Sequence, residues 1–196
     1  RIGLKILGVT DPAKEKGETL LGVEILGGDD VVFGYSPKDV NLVNGLGIVE
    51  GASRRWEIAE KMREAGFSFK TVIDPEATVS SDVSLGEGVQ IMAGAVIQPQ
   101  SSIGRDSIVN TGALIDHDCT VGSECHICPG VTISGGVTVG CRSIIGSGST
   151  VLPGMNIGNK VLVAAATVVY NDVSNNVKLV QRRIDVIEEF GLDKNS

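Results

Sequence analysis

Residues 103–120 read IGRDSI, VNTGAL, IDHDCT, and this division into sixes decides the fold. The first position of each hexad is Ile103, Val109 and Ile115. Followed outward, the same column runs from Val79 to Val169 and holds only Ile, Leu or Val. The fifth position is small or medium: Ser101, Ser107, Ala113, Cys119, Cys125, Val131 and Val137 in the middle of the run. No charge enters either column. A period of six fits neither a helix, at 3.6, nor simple strand alternation, at 2.0. It fits short strands joined by regular corners, each strand placing one large aliphatic residue inside. A second period sets the size of a coil. Gly86, Gly104, Gly122, Gly140 and Gly158 each follow the aliphatic residue, and they recur at every third hexad. The reading is therefore a triangular prism with three strands per coil. Residues 79–170 then make about five coils of a parallel β-solenoid.

Composition agrees. Aromatic residues are 4% of 196, and glycines number 26. The core must therefore be aliphatic, in a geometry with many tight corners. At 42% hydrophobic residues, a buried core is available. No apolar run approaches the length of a bilayer span, which speaks against a transmembrane helix, and no segment reads as a signal peptide. The chain is expected to be cytoplasmic. A net charge of −7, from 17 basic and 24 acidic residues, opposes broad binding of nucleic acid.

The flanks read differently. Residues 1–74 offer candidate strands at Leu4–Val9, Leu20–Ile25 and Phe69–Ile73. A helix at Ser53–Gly66 has Ser53 as its cap and Trp56, Ala59 and Met62 on one face. Together they suggest a small α/β domain. Residues 75–171 form the prism. In residues 172–196, Asn176–Phe190 reads as an amphipathic helix, with Val177, Val180, Ile184, Ile187 and Phe190 on one stripe, covering the open end of the solenoid.

The chain has two histidines, His117 and His126, both outside the inward columns. Asp116 and Asp118 flank His117, and a neighbouring carboxylate raises imidazole basicity, as suits a general base. Strand neighbours point to opposite faces, so Asp118 can orient His117 only if a corner intervenes. One coil on, Gly135 and Gly136 stack on His117 and Asp118, leaving a wall without side chains. One and a half faces of the prism separate the two histidines, so they would meet only across a subunit interface. Cys125 and Cys128 have a C-x-x-C spacing, but Cys119 and Cys125 fall in the inward small column and read as core fillers rather than zinc ligands. No disulfide pairing is implied, and no metal is expected.

The hexad pattern [LIV]-[GAED]-x-x-[STAV]-x resembles that of the hexapeptide-repeat acyltransferases. The constellation Asn110, His117, Asp118, Cys119, His126, Gly135 and Gly136 is similar to sugar acetyltransferases of the sialic-acid O-acetyltransferase (NeuD) type. Within these it most resembles the PglD-like UDP-4-amino-sugar N-acetyltransferases. The resemblance implies a left-handed parallel β-helix, acetyl-CoA as co-substrate, a nucleotide-sugar acceptor and a homotrimer with coenzyme between prisms. It implies His117 as general base, Asp118 as its support, and Asn110 and His126 at the substrate. It further implies Gly135, Gly136, Ser147 and Ala165 along the coenzyme, with the Gly135 N–H near the thioester. Val9–Pro12, Leu21–Val23 and Leu26–Asp30 match the family's small Rossmann-like nucleotide-sugar domain, whose opening strand and glycine-rich turn are absent from this sequence. The motif V-G-A-G-A-V-V is replaced by Val163-Ala164-Ala165-Ala166-Thr167-Val168-Val169. Acceptor chemistry stays open between amine and hydroxyl, and a non-catalytic structural trimer remains the alternative. Carbonic anhydrases on such prisms use three histidine ligands, and ice-binding prisms need a threonine array; this chain has neither.

Overall fold

The computed structural model describes residues 3–47 and 54–181. The hexads are two-residue strands joined by corners, and they stack into three parallel sheets. The first face stacks Val72–Ile73, Gln90–Ile91, Ile108–Val109, His126–Ile127, Ile144–Ile145, Leu162–Val163 and Lys178–Leu179. The second face stacks Thr78–Val79, Val96–Ile97, Leu114–Ile115, Thr132–Ile133, Thr150–Val151 and Val168–Val169. The third carries Ser84–Leu85, Ser102–Ile103, Thr120–Val121, Thr138–Val139 and Asn156–Ile157. Ladder partners are three hexads apart in sequence, as Ile97 beside Ile115 and Ile115 beside Ile133. From Ile91 to Val169 every first-position aliphatic is buried, and Val89, Ala95, Ala113, Cys119, Cys125, Val131 and Val137 complete the core beside them. Burying one such aliphatic side chain contributes roughly 1.5–3 kcal/mol.

The glycine column that recurs once per coil has a steric cause. A Cβ on Gly104 would lie 2.5 Å from the carbonyl carbon of Gly122 and the amide of Ser123, and one on Gly86 2.5 Å from the amide of Arg105. At this corner, successive coils approach too closely for any side chain in the second position. The fourth hexad position has positive φ at every corner from Gly88 to Ala166; glycine fills seven of these, and Asp106, Asp118, Glu124 and Arg142 are among the others.

The prism is longer than the hexad run. It starts at Val72, because Val72 and Ile73 pair with Gln90 and Ile91. It also continues past Asn171. Val173 bridges to Ile157, and Lys178–Leu179 pairs with Leu162–Val163 at an offset of 16. One corner has lost two residues, which hid the last coil from a strict count of six. The expected helix from Asn176 is therefore replaced at its start by a strand: ladder pairing to an existing sheet edge outweighs a marginal apolar stripe. The remainder of that expected helix lies outside the described residues.

In the N-terminal unit the expected strand Leu4–Val9 is reduced to Val9–Thr10, parallel to Val23–Gly27. The expected strand Leu20–Ile25 is instead a hairpin, with Thr19–Leu20 antiparallel to Val23–Gly27 across a turn at Leu21 and Gly22, both at positive φ. A helix spans Arg54–Glu64 and stops at Gly66, where φ is +89°; the expected cap Ser53 lies outside the described residues. Its Ala59 and Met62 pack with Val32, Phe67 and Phe69 in a second, small core, while Trp56 is only half-buried. Phe69–Ile73 is two strands: Ser68–Phe69 pairs with Asn41–Leu42, and Val72–Ile73 opens the prism. The helix is fastened to the prism by Arg63, which reaches Asp106 at 2.8 Å and Glu87 at 3.4 Å.

Candidate active site

His117 stands in the corner between the second and third faces. Its Nδ1 lies 2.7 Å from Oδ2 of Asp118. Adjacent residues converge because Asp118 has φ of +58°, so the chain turns between them. This is the corner that the sequence pattern required. Asp116 Oδ1 accepts the backbone N–H of His117 at 2.8 Å, which holds the corner from outside. The imidazole pKa is raised above its ordinary value, first by the Asp118 hydrogen bond and then by the charge of Asp116. With Nδ1–H directed at the carboxylate, Nε2 is left with its lone pair for an incoming proton.

The ring lies over Gly135. A Cβ at that position would be 2.8 Å from both Cε1 and Nε2 of His117. The glycine is thus required by the histidine, not by a turn. Gly136, at φ +70°, stacks on Asp118 and donates its N–H to the carbonyl of His117 at 2.9 Å. The Gly135 N–H makes no backbone hydrogen bond among the described residues. An imidazole nitrogen and such an N–H on a bare backbone wall, in adjacent coils, can take a proton and stabilise a nearby oxyanion.

The other expected residues form a second group. Asn110 Nδ2 and His126 Nε2 are 3.1 Å apart. Asn110 follows the strand Ile108–Val109, and His126 opens His126–Ile127, both on the first face. Ser147 and Ala165 stack on one another in successive coils, in the corner between the first and second faces. So the eight residues divide: His117, Asp118, Gly135 and Gly136 at one corner, and Asn110, His126, Ser147 and Ala165 at the next. The width of the second face lies between them.

The cysteines behave as the column position implies. Cys119 and Cys125 are buried, Cys128 is half-buried and Cys141 exposed, all as free thiols. Burial pushes the Cys125 thiol up to about 12. The sequence reading missed what the inward serines and cysteines do. Ser101, Ser107, Ser143 and Ser149 each donate to a carbonyl in the next coil's corner, as Ser101 does to Asp116 at 2.8 Å.

Residues 82–117 match the bacterial transferase hexapeptide (six repeats) family model. The acetyltransferase domain of PglB from Neisseria gonorrhoeae FA1090 superposes with a TM-score of 0.76 at 30% identity, over 85% of this chain and 80% of that one. PerB from Caulobacter crescentus, in complex with CoA and GDP-perosamine, superposes with a TM-score of 0.72 at 38% identity, over 86% of this chain and 78% of that one. WeeI from Acinetobacter baumannii AYE shares the fold, with a TM-score of 0.73 at 20% identity, over 86% of this chain and 79% of that one. A search of curated proteins found no match. The fold and these relatives define an acyltransferase of the solenoid class. The chain belongs to the hexapeptide transferase family, and that membership implies left-handed coils. Among the described residues no helix is long and apolar enough to cross a membrane.

Proposed function

We propose that this chain transfers acetyl from acetyl-CoA to the amine of a nucleotide-linked amino sugar, as a PglD-like N-acetyltransferase. The observation that carries the reading is the His117–Asp118 pair set over the bare wall of Gly135. Solved relatives support the substrate classes: PglB's domain has been captured with acetyl coenzyme A, and PerB with CoA and GDP-perosamine. In this mechanism the acceptor amine attacks the thioester carbonyl, and Nε2 of His117 takes its proton. Asp118 holds the imidazole and stabilises the cation that forms. The N–H of Gly135 donates to the tetrahedral oxyanion. The intermediate collapses, the C–S bond breaks, and the CoA thiolate leaves with the proton carried by His117.

Asn110 and His126 sit at the substrate, and Gly135, Gly136, Ser147 and Ala165 along the coenzyme. Because these residues occupy two corners of one prism, the complete site forms between subunits of a homotrimer. Exposed Leu114, Leu152, Val168 and Tyr170 on the intervening second face favour such burial. The N-terminal unit, within residues 1–74, serves the nucleotide-sugar. The working compartment of this reading is the cytoplasm.

The test follows thiol release from acetyl-CoA with UDP- and GDP-linked 4-amino sugars, for the protein and His117→Ala. Acceptor-dependent release that falls at least about 100-fold in the variant is expected. Equal release in the variant removes His117 from the chemistry. Acetylation of a hydroxyl analogue in preference to the amine assigns the O-transferase class.

A further inference from the structure

The fifth hexad position reads as a filler column, yet its hydroxyls and thiols make a repeated contact. Ser101 is 2% exposed. Its Oγ–H donates to the carbonyl of Asp116 at 2.8 Å, and its Oγ accepts the N–H of Cys119 at 3.1 Å. Those two bonds span residues 116–119, the corner that holds His117 and Asp118. Cys119 repeats the donation one coil on: its Sγ–H donates to the carbonyl of Ser134 at 3.2 Å, next to Gly135. Desolvation by burial keeps that thiol protonated, as a donor must be.

The same clamp occurs away from the site. Ser143, fully buried, donates to the carbonyl of Gly158 at 2.8 Å and accepts the N–H of Val161 at 3.0 Å. That corner lies between the third and first faces and carries no candidate site residue. Elsewhere the column is alanine, at Ala95 and Ala113, so corners form without the clamp. The clamp is therefore an addition to the fold at the corners that have it, and at the His117 corner the Ser101 clamp lies under His117 while the Cys119 donation lies beside Gly135.

We propose that Ser101 is a positioning residue for the acetyl-transfer site: from inside the prism it fixes the corner in which Asp118 meets His117. The inference rests on the proposed reaction for its importance, but not for its geometry. His117 and Asp118 are exposed on the outside, where the Asp116 carboxylate is the side chain that braces the backbone beside the coil-to-coil bonds of Asp118 N–H to Pro99 and of Gly136 N–H to His117. A pair held at 2.7 Å by two exposed side chains needs a fixed backbone beneath it, because displacement of about 1 Å can cost about a hundredfold in rate.

The experiment compares Ser101→Ala, Ser101→Cys and Ser143→Ala. The charged groups facing the His117 ring are Asp116 and Asp118, both untouched by these changes. The deciding readout is the NMR titration of the His117 ring, assigned against His126→Gln, since the chain holds only two histidines. Ser101→Ala is expected to drop the His117 pKa toward that of a free imidazole and to lower kcat about tenfold, with KM for acetyl-CoA changing less than about twofold. Ser101→Cys, which keeps the donor as Cys119 and Cys125 do, restores most of both. Ser143→Ala lowers Tm as much as Ser101→Ala and leaves the titration and kcat unchanged. An unmoved His117 titration in Ser101→Ala overturns the proposal, as does an equal fall in kcat for the two alanine variants. A moved titration in a protein without acetyl-transfer activity sustains the positioning role and refutes the proposed reaction instead.

Discussion

Two corners of this prism share one backbone geometry and do unlike work. At the corner between the second and third faces, the fourth-position residue Asp118 holds the exposed ring of His117. At the corner between the third and first faces, the fourth-position residues include Asp106, Glu124 and Arg142, with φ between +58° and +61°. Asp106 is buried and takes Arg63 from the N-terminal helix; Glu124 pairs with Arg142, whose guanidinium lies 5.4 Å from the Trp56 ring. Each of these side chains bears the strain of a left-handed position, about 1–2 kcal/mol, that glycine would avoid. Both corners use charge at the strained position, one toward solvent and one toward another part of the chain. The solenoid is thus a neutral frame on which a single pattern can make either a reaction corner or a docking corner.

The contrast is tested most severely at the docking corner. Arg63→Ala leaves Asp106 buried without its cation. The expected loss is about 3 kcal/mol of stability, with activity per folded molecule retained, read by denaturant unfolding beside a thermally controlled assay. Loss of activity without loss of stability would merge the two corners. Next comes a matched pair of glycines. Gly135→Ala pushes against the movable ring of His117 and is expected to cost about 100-fold in kcat while Tm stays nearly constant. Gly122→Ala meets the backbone of Cys141 at 2.7 Å and is expected to do the reverse, lowering Tm and sparing kcat.

A smaller effect lies in pH dependence. A general base works only when neutral, so kcat/KM falls as pH drops through the raised pKa of His117. Its acid limb is expected above the ordinary 6.5. Asp118→Asn removes the first cause of that rise, so the limb shifts downward while the plateau falls about tenfold. A limb that stays in place would give the shift to Asp116 instead. Smallest of all is Lys61→Ala, which breaks an exposed pair with Asp30 at 3.2 Å; a change below about 0.5 kcal/mol is expected by calorimetry.

The prism was legible because its signals are local and repeated. Six residues per strand-and-corner, and three such units per coil, follow from the aliphatic column and from Gly86 through Gly158. The last coil was hidden because a shortened corner moved Val173 and Leu179 out of frame, and the tail's helical stripe competed with ladder pairing. In the site, residue types and the glycine wall were readable. The meeting of His117 with Asp118 was not, since strand alternation places neighbours on opposite faces and only the corner at Asp118 reverses that. The separation of Ser147 and Ala165 from His117 follows from simple counting by sixes. The serine clamps were invisible, because contacts between one coil and the next leave no trace in a column whose composition reads as size alone.

The shortened last coil bears on solubility. A perfectly regular solenoid would end in a flat rung of strand edges, ready to accept the first rung of another molecule and grow into a fibre. Here the third face ends in one bridge, Ile157 to Val173. Beside it, Asp172 and Asn175 turn side-chain oxygens onto the N–H groups of Asn156 and Asn159, at 2.8 and 2.7 Å. Among the described residues, a coil two residues short offers an incoming regular rung the wrong circumference, so the irregularity that concealed this coil also disfavours stacking of one prism on the end of another.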